Sequence, residues 1–393
     1  MGDQSTSEGS MAWPRLLAGV PSVHKSLFRR LGVAAHDPAA YLEFAPDDRV
    51  VIVRDVERAR ARSSARADEV RVYEDFEPSD GLSGDREVRA AQAIAECLAR
   101  RGASSVVADR ALPLLIAEAI RGRGIEVRLD HAWGVADRRC KTPDERSALR
   151  AAQRLTEDAV RLACEMIAGA NVDDAGGLVD AAGGGALTSE RVKAAVISFL
   201  AERGAVTDDL IVAGGPAGSD CHFTGAGALR SGEPVIVDIF PCHVASGFHG
   251  DCSRTVVHGT ASDAMVSMHA AVVEAKRASI GVVRAGVTGE DVHRAAVAVI
   301  AERGFHVGWP PKGSGASLAA MTHGTGHGIG LDLKEPPLLD FKGPTLLEGD
   351  CVTVEPGLYR PDTGGVRIED MLLVTGEGSE NLNVLHEGLD WRV

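Results

Sequence analysis

Aromatic residues make up only 4% of this 393-residue chain, and no apolar run approaches the ~20 residues that a bilayer-crossing helix requires. The stretch from Met11 to Val20 is short and broken by Pro14 and Arg15, so it lacks the apolar core of a secretory signal. Seven cysteines stand at 97, 140, 164, 221, 242, 252 and 351. Their number is odd and no pair has CxxC spacing, which argues against a disulfide framework and against a thiolate zinc site. Reduced thiols in a cytoplasmic protein are expected. Basic residues are outnumbered, 42 against 56 acidic, for a net charge of −14. A non-specific nucleic-acid binder needs the opposite sign.

The chain does have an ordinary apolar fraction of 45% and a generous 45 glycines, a mix suited to helices packed through Ala, Val and Leu and joined by tight turns. Its length suits two or three domains at roughly 100–200 residues each. Residues 1–10 are small and polar and are expected to be disordered. Beyond them, segments 48–55, 104–110 and 125–130 read as buried strands. Helices are expected at 85–101, stopped by Gly102, and near 114–121. This βαβαβ rhythm predicts a small α/β domain over 1–141 with a largely parallel sheet and no nucleotide-binding glycine motif. The second domain, 142–393, should open on a helix. Thr142 caps it, Pro143 fits its first turn and Glu145 closes a capping box. Leu149, Ala152, Thr156, Ala159, Ala163 and Met166 form its buried stripe. Two later helices, a hundred residues apart, both end in Ala-Glu-Arg-Gly (201–204 and 301–304). The repeat is either a common helix ending or the mark of a duplicated half.

Five segments carry candidate chemistry. In VIVDIFP (235–241) a lone acid, Asp238, sits among apolar residues, where it is costly unless it serves a turn or is neutralised. HGDCSRT (249–255) places Asp251 before a second extended run, and Gly247 and Gly250 suggest a hairpin that brings the two acids together. Neighbouring carboxylates repel unless a proton or cation lies between them. HGTGHGIG (323–330) offers His323 and His327 amid four glycines. A phosphate loop is the rival reading, but the Lys-Ser/Thr ending of a P-loop is missing. CVTVEPGLY (351–359) embeds Glu355, and GGVRIEDMLLV (364–374) embeds Glu369 with Arg367 two residues before it, on the same face. Four carboxylates and an imidazole in one domain would be prohibitively destabilising if unpaired, and two divalent cations resolve this.

The ordered set VDIF, DCSRT, GTGHGIGL, TVEPGLY and GGVRIED resembles the pita-bread metallopeptidases: methionine aminopeptidase, Xaa-Pro aminopeptidase, prolidase and creatinase. The resemblance covers roughly 142–393. It implies an α+β fold with internal pseudo-twofold symmetry, preceded by a creatinase-type α/β domain. It further implies that Asp251 and Glu369 bridge two metals, that Asp238 chelates one, and that His327 and Glu355 complete the other. A water or hydroxide held between the metals would attack the scissile carbonyl while Glu355 shuttles the proton. Arg367 would brace the cluster. His222, in DCHFTG, is similar to the histidine that steadies the tetrahedral intermediate, and His323 to a substrate-contacting one; as residue types alone, both also suit polar loops. All five ligands are present, which disfavours the metal-free creatinase reaction and a silent binding scaffold. Mn²⁺ is the expected metal, with Co²⁺, Zn²⁺ and Fe²⁺ as alternatives. The implied substrate is a short peptide, the implied reaction Xaa-Pro aminopeptidase or dipeptidase cleavage, and the implied assembly a homodimer.

The chain departs from the family pattern in two places. The interval between Asp238 and Asp251 is two residues longer than usual, an even change that preserves strand facing. Where these peptidases read GLxxHExP, this chain has GLDLKEPP, with Lys334 at the histidine position. Lysine can donate to an oxyanion, pair with Glu335 for structure alone, or read a carboxylate on another small amide substrate.

Overall fold

The computed structural model describes residues 13–392; the segment 1–10, expected to be disordered, lies outside them. The chain divides into two compact units, one ending at Arg138 and the other beginning at Arg139.

The first unit contains β1 (Arg15–Gly19), α1 (Lys25–Leu31), β2 (Ala39–Ala45), β3 (Asp48–Val53), α2 (Arg58–Ser64), β4 (Glu69–Val72), α3 (Arg86–Arg100), β5 (Ser105–Ala108), α4 (Leu114–Gly122) and β6 (Glu126–Leu129). Its sheet runs β4-β3-β2-β1-β5-β6. Alternation along the strands splits the core in two. Leu16, Ala40, Leu42, Val50 and Ile52 face Ile94 and Leu98 of α3 and Ile116 and Ile120 of α4. Leu17, Tyr41, Val51 and Val53 face Leu27 and Leu31 of α1 and Ala61 of α2. The sheet is largely parallel, as expected: β3–β4, β1–β5 and β5–β6 pair parallel, and β2 alone runs against the others, antiparallel to both β1 and β3. One expectation needs correction. Segment 125–130 is not a buried strand, since β6 lies at the sheet edge and Leu129 is 68% exposed.

A short helix, α5 (Val135–Arg139), precedes α6 (Pro143–Ala168). The expected box closes α6: Thr142 Oγ1 accepts from the Glu145 N–H, and the Glu145 carboxylate accepts from the Thr142 N–H. After it come β7 (Asn171–Val172), β8 (Leu178–Val179), α7 (Ser189–Glu202), β9 (Ala205–Val206), β10 (Ile211–Gly214), β11 (Pro234–Ile239), β12 (Cys242–His243) and β13 (Cys252–Val257). Helix α6 packs on α7 and on the β10-β11-β13 sheet through Ala159, Val160 and Ala163 against Val192, Val196, Val235, Val237 and Val256. The next segment repeats the plan with α8 (Asp263–Val282), α9 (Gly289–Glu302) and β14 (His306–Val307). Thr188 caps α7 and Thr288 caps α9; Val192, Val196 and Leu200 on one helix answer to Val292, Ala296 and Ile300 on the other. Gly204 and Gly304 then take φ of 73° and 80°, the left-handed turn that favours glycine. The Ala-Glu-Arg-Gly endings thus occupy equivalent places in two like halves.

The remaining strands are β15 (Ala320–Met321), β16 (Gly326–Gly328), β17 (Glu335–Leu339), β18 (Cys351–Val354), β19 (Gly357–Arg360), β20 (Gly364–Arg367), β21 (Asp370–Val374) and β22 (Ser379–Asn381). They form sheets β14-β15-β19-β20 and β17-β16-β18-β21-β22. The halves match in their antiparallel strand pairs too: β11 pairs with β13, and β18 with β21. Among the described residues, no helix is long and apolar enough to cross a membrane.

Candidate metal centre

Strand β11 is buried along its whole length. Val235, Val237 and Ile239 point into the helix-packed core, so the alternate positions Ile236 and Asp238 face the other way. Asp238 stands opposite Ser253 of β13. The hairpin expected from Gly247 and Gly250 therefore forms and returns Asp251 beside Asp238. The peptide of Asp251 is pinned by Gln153 of α6, whose amide accepts from its N–H at 2.9 Å and donates to its carbonyl at 2.8 Å. In the second half, Glu355 directly follows β18 and Glu369 directly precedes β21. The break between β20 and β21 corrects the reading of 364–374 as one strand, because the two pieces belong to different sheets. Of the five ligand candidates only Asp238 and His327 lie within strands; the other three sit at strand ends, where a side chain can turn toward a shared centre.

One oxygen each of Asp238, Asp251 and Glu369 lies within 4.8 Å of the others. The His327 Nε2 atom is 3.7 Å from Asp251 Oδ2 and 3.4 Å from Glu355 Oε1. Its Nδ1, 3.0 Å from the Gly328 carbonyl, acts as the donor there, which leaves Nε2 with its lone pair toward the carboxylates. Thr353 Oγ1 accepts from the His327 N–H and donates to Glu355, fixing both. The glycines on either side of His327 are required by space: a Cβ on Gly326 would stand 2.0 Å from the Thr353 carbonyl oxygen.

Arg367 joins the two halves. It donates to Asp238 at 2.6 Å, to Ser253 Oγ at 3.1 Å and to the Tyr359 hydroxyl at 2.8 Å. Ser253 in turn donates to Glu369 Oε2 at 2.8 Å. This leaves Asp238 Oδ1 and Glu369 Oε1 buried without a hydrogen-bond partner. Burial, reinforced by Asp238 and Glu355, pushes the Asp251 carboxyl well above its ordinary range. Burial, together with Asp251 and Glu355, does the same to Glu369. Orphaned carboxylate oxygens facing one another, with an imidazole lone pair beside them, are the donor set of a hard or borderline divalent cation.

The site opens into a cavity of about 720 Å³, lined also by Asp209, Cys221, His222, His323, Lys334 and Asp340. His222 is exposed at its wall. His323 donates from Nδ1 to the Gly324 carbonyl and accepts at Nε2 from the Tyr359 hydroxyl, each at 2.7 Å. Burial lowers its pKa, so it is a neutral ring with both nitrogens engaged. Lys334 is exposed beside the cavity. Its suggested partner Glu335 instead meets Lys141 at 2.6 Å, both side chains 2% exposed. A Lys334–Glu335 pair is thus not found among the described residues: Glu335 opens β17 with its side chain buried, and Lys334, just before the strand, is exposed.

Sequence reasoning missed Gln153, Ser253, Arg254 and Tyr359 as supports. Arg254 is fully buried and holds the Glu369 carbonyl at 2.5 Å and Asp370 at 2.9 Å. An arginine and a serine inside the apolar run of β13 were the available signal.

A sequence profile, that of metallopeptidase family M24, matches residues 147–376. The probable dipeptidase PepE of Mycobacterium tuberculosis is 35% identical over 176 residues, 44% of this chain and 44% of the relative. The Xaa-Pro dipeptidase of Pyrococcus horikoshii is 30% identical over 200 residues, 49% of this chain and 52% of that protein. The matches thus span about half the length of these curated relatives. Among solved structures, the Xaa-Pro dipeptidase from Bacillus anthracis superposes with a TM-score of 0.78 at 24% identity, over 96% of this chain and 94% of its own. The X-Pro aminopeptidase from Thermotoga maritima gives 0.76 at 21%, covering 96% of both chains. At these identities the likeness speaks to the fold, which is the pita-bread fold.

Proposed function

The chain belongs to metallopeptidase family M24, and from that premise we propose that it is a dinuclear-metal exopeptidase of short peptides, with Xaa-Pro dipeptidase or aminopeptidase character. The observation that carries the reading is the convergence of Asp238, Asp251 and Glu369 within 4.8 Å, with His327 and Glu355 at the edge of the same cluster. These five would hold two divalent ions, Mn²⁺ first among candidates. Bound there, such ions supply Lewis-acid activation of a water and of the scissile carbonyl.

The residues of the chain divide the remaining work. Glu355, steadied through Oε1 by Thr353 and facing the cavity, takes the proton from the attacking water and returns it to the leaving amine. Arg367 holds one oxygen of Asp238, so the carboxylate presents the other inward. The chain of donors from Arg367 through Tyr359 to His323 fixes the floor of the cavity. His222, exposed at the wall and with no hydrogen bond to its ring among the described residues, would donate to the charge that develops on the carbonyl oxygen. His323 would meet substrate through its ring edge.

The test is a Mn²⁺-loaded assay on Xaa-Pro dipeptides, Xaa-Pro-Xaa tripeptides and non-proline controls. Cleavage confined to the proline substrates is expected, and indifference to all three defeats the assignment. The second reading, dipeptide hydrolysis without a proline requirement, is favoured by Lys334 at the usual histidine position; cleavage of the controls would establish it. Thiols at Cys97, Cys164, Cys221, Cys252 and Cys351 support a reducing, cytoplasmic location. A homodimer is part of the same reading, and sedimentation checks it.

A further inference from the structure

Two cationic side chains line the cavity, Arg367 and Lys334. The guanidinium of Arg367 is spent on Asp238, Ser253 and Tyr359. Lys334 makes no hydrogen bond or ion pair among the described residues, and its side chain is exposed to solvent. Its backbone is nonetheless firmly placed. It immediately precedes β17, whose first residue Glu335 registers with Gly328, next to His327 on β16. The buried pair of Glu335 and Lys141 anchors that point from behind. Lys334 is therefore a cation whose backbone is held beside the candidate metal ligands; its field reaches Asp251, but its ammonium has no hydrogen-bond or ion-pair partner among the described residues.

The acids on the same wall have other hydrogen-bond neighbours: Asp340 has His293 Nε2 at 3.4 Å, and Asp209 accepts from the N–H of Leu210. The four clustered carboxylates suit two divalent ions, whose charge would cancel theirs. A cation without an ion-pair partner on the wall of an exopeptidase cavity is the complement of an anionic group on the substrate, and every dipeptide carries one next to its scissile bond. Resting on the peptidase reading above, we propose that Lys334 binds the free C-terminal carboxylate of a dipeptide, so that this chain is a dipeptidase by charge selection. A histidine at this position would serve as a proton carrier; the lysine changes the position from chemistry to recognition.

The experiment compares an Xaa-Pro dipeptide with its C-terminal amide in the metal-loaded wild type, K334M and K334R. The wild type should favour the free acid by roughly 10- to 100-fold in kcat/KM, the range of a charged hydrogen bond, with most of the difference in KM. K334M should bring that ratio close to one, and K334R should keep most of it. Binding of proline against prolinamide to the same proteins, by calorimetry, gives a readout free of turnover. A ratio unchanged in K334M, or equal binding of proline and prolinamide by the wild type, overturns the proposal. If no peptide is cleaved but proline binding still depends on Lys334, the peptidase reading falls and the carboxylate site stands.

Discussion

Glu369 has one oxygen satisfied by Ser253 and the other buried with no partner. Its worth therefore changes sign with metal. In Glu369→Gln, a charge repelled by Asp251 disappears, and the metal-free protein should resist urea better, by on the order of 1 kcal/mol. The same variant should hold fewer than two metals per chain when assayed by mass spectrometry. A metal-free variant less stable than its parent would contradict this account. Tyr359 makes a contrasting case. Tyr359→Phe strips the hydroxyl that serves both Arg367 and His323, leaving two buried groups unpaired at a cost of about 1–3 kcal/mol. Chemical denaturation should register that loss while metal content stays at the parental level. The convergence of Asp238, Asp251 and Glu369 was legible in the sequence because an acid in an apolar run has few bland explanations. Tyr359 was not, because a tyrosine in a buried strand needs no special reason to be there.

Helix α6 shows how an element far from the cavity governs it. Its cap was readable from four residues, and Thr142→Ala should cost about 1 kcal/mol of stability. Its functional contribution was not readable, since Gln153 looks like any polar residue on an amphipathic helix. Gln153→Leu removes both bonds to the peptide of Asp251. The expected outcome is weaker metal binding, at least 10-fold by competition with a chelator, whereas Thr142→Ala leaves affinity unchanged. The one antiparallel strand of the first unit escaped the sequence for a local reason. Segment AAYLEFA of β2 mixes helix-favouring Ala, Leu and Glu with strand-favouring Tyr and Phe, and pairing with β1 and β3 makes it a strand. The two-half plan of the second unit was hinted at by four letters; the matching Thr caps at 188 and 288 make it plain.

Across the whole molecule, the raised carboxyls of Asp251 and Glu369 set a pH dependence. Unfolded, these groups titrate near 4; folded and metal-free, they hold their protons to higher pH. The folded state therefore binds more protons in the interval, and stability falls as pH rises through it. The metal-free protein should melt higher at pH 5 than at pH 7.5. Metal uptake should release protons, seen as a buffer-dependent heat in calorimetry. Identical melting at the two pH values would argue against a repelling carboxylate cluster.

The cluster also draws on residues from 238 to 369, one antiparallel strand pair in each half. A bound ion therefore acts as a clasp across a loop of more than a hundred residues, with little to grip until both strand pairs exist. Opening either half then means surrendering the ion, so occupancy should govern lifetime as well as turnover. Limited proteolysis with and without a chelator would measure this directly: removal of metal should speed cleavage within 234–374 and leave 15–129 unaffected. In a cell starved of its metal, such a chain would be lost to proteases before it was missed as a catalyst.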